Sequence, residues 1–288
     1  MDWRTGVLSF ICVGLTAPFV ACDDTALQTD AGTVNPDGGT PVTTALTCPS
    51  YMPAGATCGE TVPAFGTTIS TWSETDPATK KINKISWNLP LTAVANVTGA
   101  LADTRVWFHF PPQVLADTAI TGMVYDYLPK GHVPKGIYDT PHFEFHLIVQ
   151  DLEETRAIDC ADPTLPADNI VIAPFFVLPP PDNCIGAMGI HAVDSTAPEF
   201  NKAKFNISNV MVYWHGKGAG ATANFRSMEP KATIETFQAR QSFKWKDFIT
   251  LPPNAIGHAT TMGTKINADY DKVNDSYVIS LSNFVPVT

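Results

Sequence analysis

The sequence predicts a mainly β protein, an antiparallel β-sandwich or barrel with one or two short helices, and three observations lead there. Its 24 prolines and 19 glycines cut the chain into short apolar segments, which suit strands better than helices. Several segments alternate apolar and polar residues with a period of two, as in residues 106–110 (VWFHF). Hydrophobic residues make up 44% of the 288, enough for a sizeable core, while Pro- and Gly-free stretches of helical period are scarce.

Residues 1–21 precede this domain. Arg4 and the amino terminus lead an uncharged run to Cys22, the pattern of a secretory signal. The run is broken by Gly14 and Pro18 and is shorter than the roughly 20 residues a membrane-spanning helix needs. Its end, Phe19-Val20-Ala21-Cys22, is similar to a bacterial lipobox, in which the cysteine is lipidated and becomes the first residue; Phe19 stands where Leu is usual. The other reading is a signal cut near Ala21 that leaves Cys22 as a thiol. A lipid on Cys22 makes the membrane a partner and places the domain in the bacterial cell envelope, at the periplasmic face or the cell surface. Residues 22–45 follow as a linker. From Asp23 to Thr44 they hold no aromatic residue, Lys or Arg, too little apolar surface to offset chain entropy. Residues 46–288 then read as a single domain.

Within it, residues 65–74 and 81–88 flank the turn Thr75-Asp76-Pro77-Ala78 as an opening hairpin. Residues 106–110, 120–128, 143–149, 170–178, 205–213 and 276–285 continue the strand series. Helices are expected at Pro112–Asp117 and at 231–240 (KATIETFQAR), which lacks internal Pro and Gly. Of six cysteines, Cys12 leaves with the signal and Cys22 goes to lipid. Cys48, Cys58, Cys160 and Cys184 remain, and four cysteines allow three pairings. Sequence neighbours favour Cys48 with Cys58 and Cys160 with Cys184. No C-x-x-C occurs, so disulfide staples in an oxidising compartment are the expectation, ahead of zinc.

The net charge of −10, with 18 Lys and Arg in no basic cluster, excludes nucleic acid as a partner, since phosphate backbones demand basic stripes. No G-x-S-x-G elbow, P-loop or dinucleotide fingerprint is present, and the glycine-rich stretch at 216–223 lacks their context and reads as a loop. No motif specifies a reaction, a small-molecule ligand or a protein partner, and the composition is open to a homo-oligomer.

The chemistry concentrates in residues 140–149 (TPHFEFHLIV). On a strand, His142, Glu144 and His146 share one face, and Phe143, Phe145 and Leu147 the core face. A rise of about 3.3 Å per residue sets the two histidines roughly 13 Å apart at their bases. That is too far to share an ion, so any single-ion site uses Glu144 with one flanking histidine and donors from elsewhere. His191, in residues 186–194 (GAMGIHAVD), is the first outside candidate; His132, across the Pro134-Lys135-Gly136 turn, is next, and His215 third. Imidazole with carboxylate suits Zn, Cu, Fe or Ni better than Ca or Mg.

These stretches resemble a family. GHVPKGIYDTPHFEFH, then MGIHAVDSTAPEF, then VYWHGKGAG and MEP are similar to motifs of a little-characterised group of exported bacterial and archaeal domains of unknown function, with the signature G-H-x-P-x-G-x-Y-x-x-P-H-F-D-F-H. One member is a sigma-E-controlled protein from Thermus. The resemblance implies an exported location and a polar set of His132, His142, Glu144, His146, His191 and Asp194. It implies no reaction. Glu144 replaces the usual Asp, and Ala197 the serine before Pro-Glu. Three readings follow: a domain that binds a metal or small ligand at the His/Glu face, a metal-dependent enzyme of cupin-like logic, and a structural or assembly module without metal.

Overall fold

The computed structural model describes residues 49–98, 102–162, 164–171, 173–180, 183–215, 223–248 and 251–288. The expected signal peptide, Cys22, the linker, Cys48 and the loop at 216–222 lie outside the described residues.

Two antiparallel sheets pack face to face without closing into a barrel. The first has six strands in the order β1 (Thr57–Ala64), β2 (Thr67–Thr75), β3 (Ile82–Pro90), β14 (Ser276–Val287), β13 (Thr260–Asp271) and β12 (Phe243–Lys244). The second runs β4 (Thr104–His109), β5 (Gly122–Leu128), β6 (His142–Ile148), β11 (Ala223–Thr233), β10 (Ile207–His215), β9 (Gly189–Asp194) and β7 (Phe175–Val177), with β8 (Cys184–Ile185) on β9. The expected opening hairpin is β2–β3, closed by Asp76 Oδ1, which accepts the Ala78 and Thr79 N–H groups at 3.0 and 2.7 Å.

The core lies between the sheets and is aromatic. Phe145 packs at ring-centroid distances of 4.7 Å from Tyr125, 5.7 Å from Trp87 and 6.2 Å from Trp245. Phe143, Phe145 and Leu147 are fully buried there, as the alternation predicts. Burying a phenylalanine stabilises by about 1.5–3 kcal/mol, so this face fixes the register of β6. A shift of one residue would exchange rings for charges.

The opposite face of β6 is not open to water, as a polar face ordinarily is. A second apolar group, Tyr138, Leu178, Val193, Phe205, Val210 and Val212, forms a cluster of its own on the outer side of the larger sheet. Residues between β5 and β6 and between β9 and β10 supply its lid, and His142 and Glu144 are 0% and 1% exposed beneath it.

Two expectations are corrected. Four short α-helices occur among the described residues, α1 (Leu91–Val97), α2 (Pro112–Asp117), α3 (Leu152–Arg156) and α4 (Ile234–Gln238), where one or two were expected. The helix expected at 231–240 begins only at Ile234, because Lys231, Ala232 and Thr233 pair with Glu144, Phe143 and His142 of β6. Thr233 then caps α4 by accepting the Thr236 N–H. Strands β1, β9, β11 and β13 were not among the expected segments. The Cys160–Cys184 disulfide is present, with Cα atoms 5.9 Å apart; Cys58 is also disulfide-bonded.

Candidate metal centre

Antiparallel register assembles the site. Directly paired residues form a row across five strands: Arg105 on β4, Asp126 on β5, Glu144 on β6, Lys231 on β11 and Ser208 on β10. His142 and His146 flank Glu144 on its strand. Glu229, two residues before Lys231, brings a carboxylate to the same face.

Glu144 Oε1 is the focus. Lys231 Nζ lies 2.5 Å away, His132 Nε2 2.7 Å and His142 Nε2 2.9 Å. His132 arrives from the segment after β5. Its N–H donates to Tyr138 O at 3.1 Å, and Gly131 before it has φ +62°, with a Cβ there falling 1.9 Å from Tyr138 O. Only glycine permits that approach. The His132 side chain is 16% exposed, the most open of the Glu144 partners.

The histidine tautomers are set by the backbone. His142 Nδ1 donates to Thr140 O at 2.6 Å, His191 Nδ1 to Gly189 O at 2.9 Å and His132 Nδ1 to Val133 O. A carbonyl can only accept, so each neutral ring turns its Nε2 lone pair outward. Those of His132 and His142 point at a carboxylate oxygen, acceptor against acceptor. A cation between them resolves the conflict. Backbone carbonyls behind Nδ1 are also the usual support of ligating histidines.

Lys231 supplies one such cation. It is fully buried, 2.6 Å from Glu229 Oε1 and 4.4 Å over the Tyr138 ring. Burial alone would depress its pKa, but Glu144 and Glu229 raise it above the usual lysine value. Burial would raise Glu144, yet Lys231 and His132 hold it well below the usual carboxylate range. Burial and the Glu144 charge push Glu229 up, and Lys231, His146 and His191 bring it down to about 2. Burial and Lys231 lower His132. His146 would likewise be depressed by burial, but Glu229, Asp126 and Glu144 raise it to about 10.

Among the described residues, two triads bring ligand atoms within 4.8 Å of one another: His132–His142–Glu144 and Asp126–Glu144–His146. The flanking histidines fall in separate triads, as strand geometry requires. His132 is the outside donor to Glu144 and His191 is not, which corrects the ranking made from sequence. His191 stands on β9, three strands from β6, roughly 14 Å at sheet spacing. Its Nε2 faces Glu229 Oε2 at 3.2 Å. Asp194 pairs with Lys246 at 2.7 Å, away from the cluster, and His215 ends β10 opposite Ala223.

Sequence reasoning missed Asp126, Glu229, Lys231 and Arg105. Asp126 had a signal, a lone acid between the apolar residues of residues 122–128 (GMVYDYL). Glu229 and Lys231 also had one, opposite charges two apart, but Pro230 between them argues against a central strand. The ladder accommodates it: β11 pairs with β6 at Met228–Leu147 and again at Lys231–Glu144, with no pair at the two positions between.

Fold and site together define an antiparallel, sandwich-like β domain with a buried His/Glu/Asp cluster able to hold a metal ion. Comparison with family models, curated proteins and solved structures returns no match to this chain.

Proposed function

We propose that this chain is an exported, lipid-anchored domain that binds one divalent transition-metal ion, Zn, Cu, Fe or Ni, at His132, His142 and Glu144 in a closed, non-catalytic site. The observation that carries the proposal is the grouping of His132, His142 and Glu144 ligand atoms within 4.8 Å of one another, with both Nδ1 atoms committed to carbonyls and both Nε2 atoms free to turn to an ion once it spreads them from Glu144 Oε1. Two histidines and a carboxylate are also the donors of many catalytic sites, which keep a coordination position open. Here Glu144 and His142 are buried and an ammonium already stands beside them, which favours storage, sensing or structural use of the ion over turnover. The signal-like residues 1–21, the lipobox at Cys22 and the motif resemblance to exported domains support the location.

Protein purified without chelator is expected to carry one equivalent of metal by elemental analysis, and a Glu144→Ala variant none. Equal content in the two removes the site. A Cys22→Ser variant is expected to move the protein from the membrane to the soluble fraction; unchanged fractionation removes the lipid anchor.

Lys231 supports a second reading, a metal-free module. Its ammonium already touches Glu144 and Glu229, and with His146 protonated the buried charges of Arg105, Lys231, His146, Asp126, Glu144 and Glu229 balance. Native protein that stays metal-free after dialysis against each of the four ions would establish that reading.

A further inference from the structure

We propose that Glu144 serves two metal positions, one on each carboxylate oxygen, and that a single ion occupies one or the other. The second position is formed by His146 Nε2, Glu144 Oε2 and Asp126 Oδ2. The inference rests on the metal-binding reading above and deepens it.

The strand dictates the division. His142 and His146 lie on either side of Glu144, so each meets a different oxygen: His142 Nε2 is 2.9 Å from Oε1, and His146 Nε2 is 3.3 Å from Oε2. His146 Nε2 is also 3.4 Å from Asp126 Oδ2. These separations exceed the 2.7–2.9 Å or so of a charge-assisted hydrogen bond. They match two donors on one ion, since bonds of about 2.1 Å at a tetrahedral angle set donors roughly 3.4 Å apart.

His146 Nε2 is buried with no hydrogen-bond partner, although it is aimed between two carboxylates. Behind it, His146 Nδ1 faces Glu229 Oε2 at 3.3 Å, a carboxylate placed to orient a ligating imidazole. Asp126 is held in place by the Arg105 fork, with Nε and Nη2 each 2.9 Å from a carboxylate oxygen.

Charge makes the positions exclusive. Asp126, Glu144 and Glu229 against Arg105 and Lys231 leave one negative charge, which a protonated His146 cancels. A single divalent ion leaves one positive charge at the His146 position, where it displaces that proton, or two at the His132 position, and ions at both would leave three, all taken from water at several kcal/mol per ion. Lys231 fits either state. Its Nζ stands between Oε1 of Glu144 and Oε1 of Glu229, so it stays with Glu229 when an ion takes Glu144 Oε1, and with Glu144 when the ion takes Oε2.

The test is equilibrium dialysis against saturating Zn(II) of the native chain, His132→Ala, His146→Gln and the double variant, each first shown to unfold cooperatively. One equivalent in the native chain and in each single variant, with none in the double variant, is the expected result. Complete loss in His132→Ala alone overturns the second position and leaves the proposed function standing. Complete loss in His146→Gln alone, with metal kept in His132→Ala, overturns both the first position and the pairing of the two. Two equivalents in the native chain overturn exclusivity, and none overturns both proposals. Cobalt(II) absorption of the native chain needs no variant. It is expected to show two band sets, from the N,N,O and N,O,O donor sets; one set overturns the second position.

Discussion

Replacing Lys231 by Met keeps the aliphatic stem and removes the charge. In the native chain the ammonium is wholly buried, 2.5 Å from Glu144, 2.6 Å from Glu229 and 3.1 Å from His132 Nε2. Without it, two buried carboxylates face each other with the ammonium between them gone and one balancing charge fewer. Breaking such a pair costs about 3–5 kcal/mol, and this is the expected loss for metal-free protein in urea denaturation followed by tryptophan fluorescence. Zinc should return much of it. The ion no longer competes with an ammonium for Glu144 Oε1, and an ion at a thousand times its Kd stabilises by about 4 kcal/mol. The zinc increment is therefore larger in the variant than in the native chain. A metal-free loss under about 1 kcal/mol would refute the burial argument, and equal zinc increments would refute the competition.

Three further outcomes are expected. His146 has a folded pKa of about 10 against 6.5 unperturbed, so its stabilisation is full below about pH 6.5 and lost as pH rises towards 10. Glu229 has a folded pKa of about 2 against 4.5, so its contribution is present above about pH 4.5 and lost as pH falls towards 2. Metal-free denaturation midpoints should plateau between these limbs, and His146→Gln should flatten the alkaline one; an unchanged alkaline limb speaks against the imidazolium. Removing the Cys160–Cys184 bridge, which spans a sequence separation of 24, should cost about 3 kcal/mol by chain entropy, measured by denaturation of a double Ser variant; no shift in midpoint would show that the loop is constrained without it. Phe145→Ala should cost about 3–5 kcal/mol, given its packing against Trp87, Tyr125 and Trp245, and a near-neutral midpoint would contradict that core.

Local pattern made β6 legible, because alternation alone assigns His142, Glu144 and His146 to one face and the rings to the other. It also showed that the two histidines cannot share an ion. The outside partners were hidden for different reasons. His132 and His191 look alike in sequence, each near a glycine, and only the fold separates them: the Gly131 turn brings one to Glu144, and strand order leaves the other on Glu229. Lys231 was obscured by the helix-forming residues that follow it, and Glu229 by Pro230. Burial of the polar face was not legible either. It depends on Tyr138, Leu178 and Phe205 meeting from three distant segments, and no local period encodes such a cover. The loss of β11 and β13 from the strand series has a simpler cause: their residues, many of them Thr, Asn, Ala and Lys, lack an apolar run.

Anomalous diffraction at the zinc edge from crystals of the zinc-loaded protein tests the central claim most directly. The account predicts a peak at Glu144, about 2.0–2.2 Å from its carboxylate and from a histidine Nε2, with His132 and His142 as ligands at the Oε1 position and Lys231 withdrawn to Glu229. Absence of a peak within ligand distance of Glu144, with Lys231 Nζ still seated on Oε1, would contradict it.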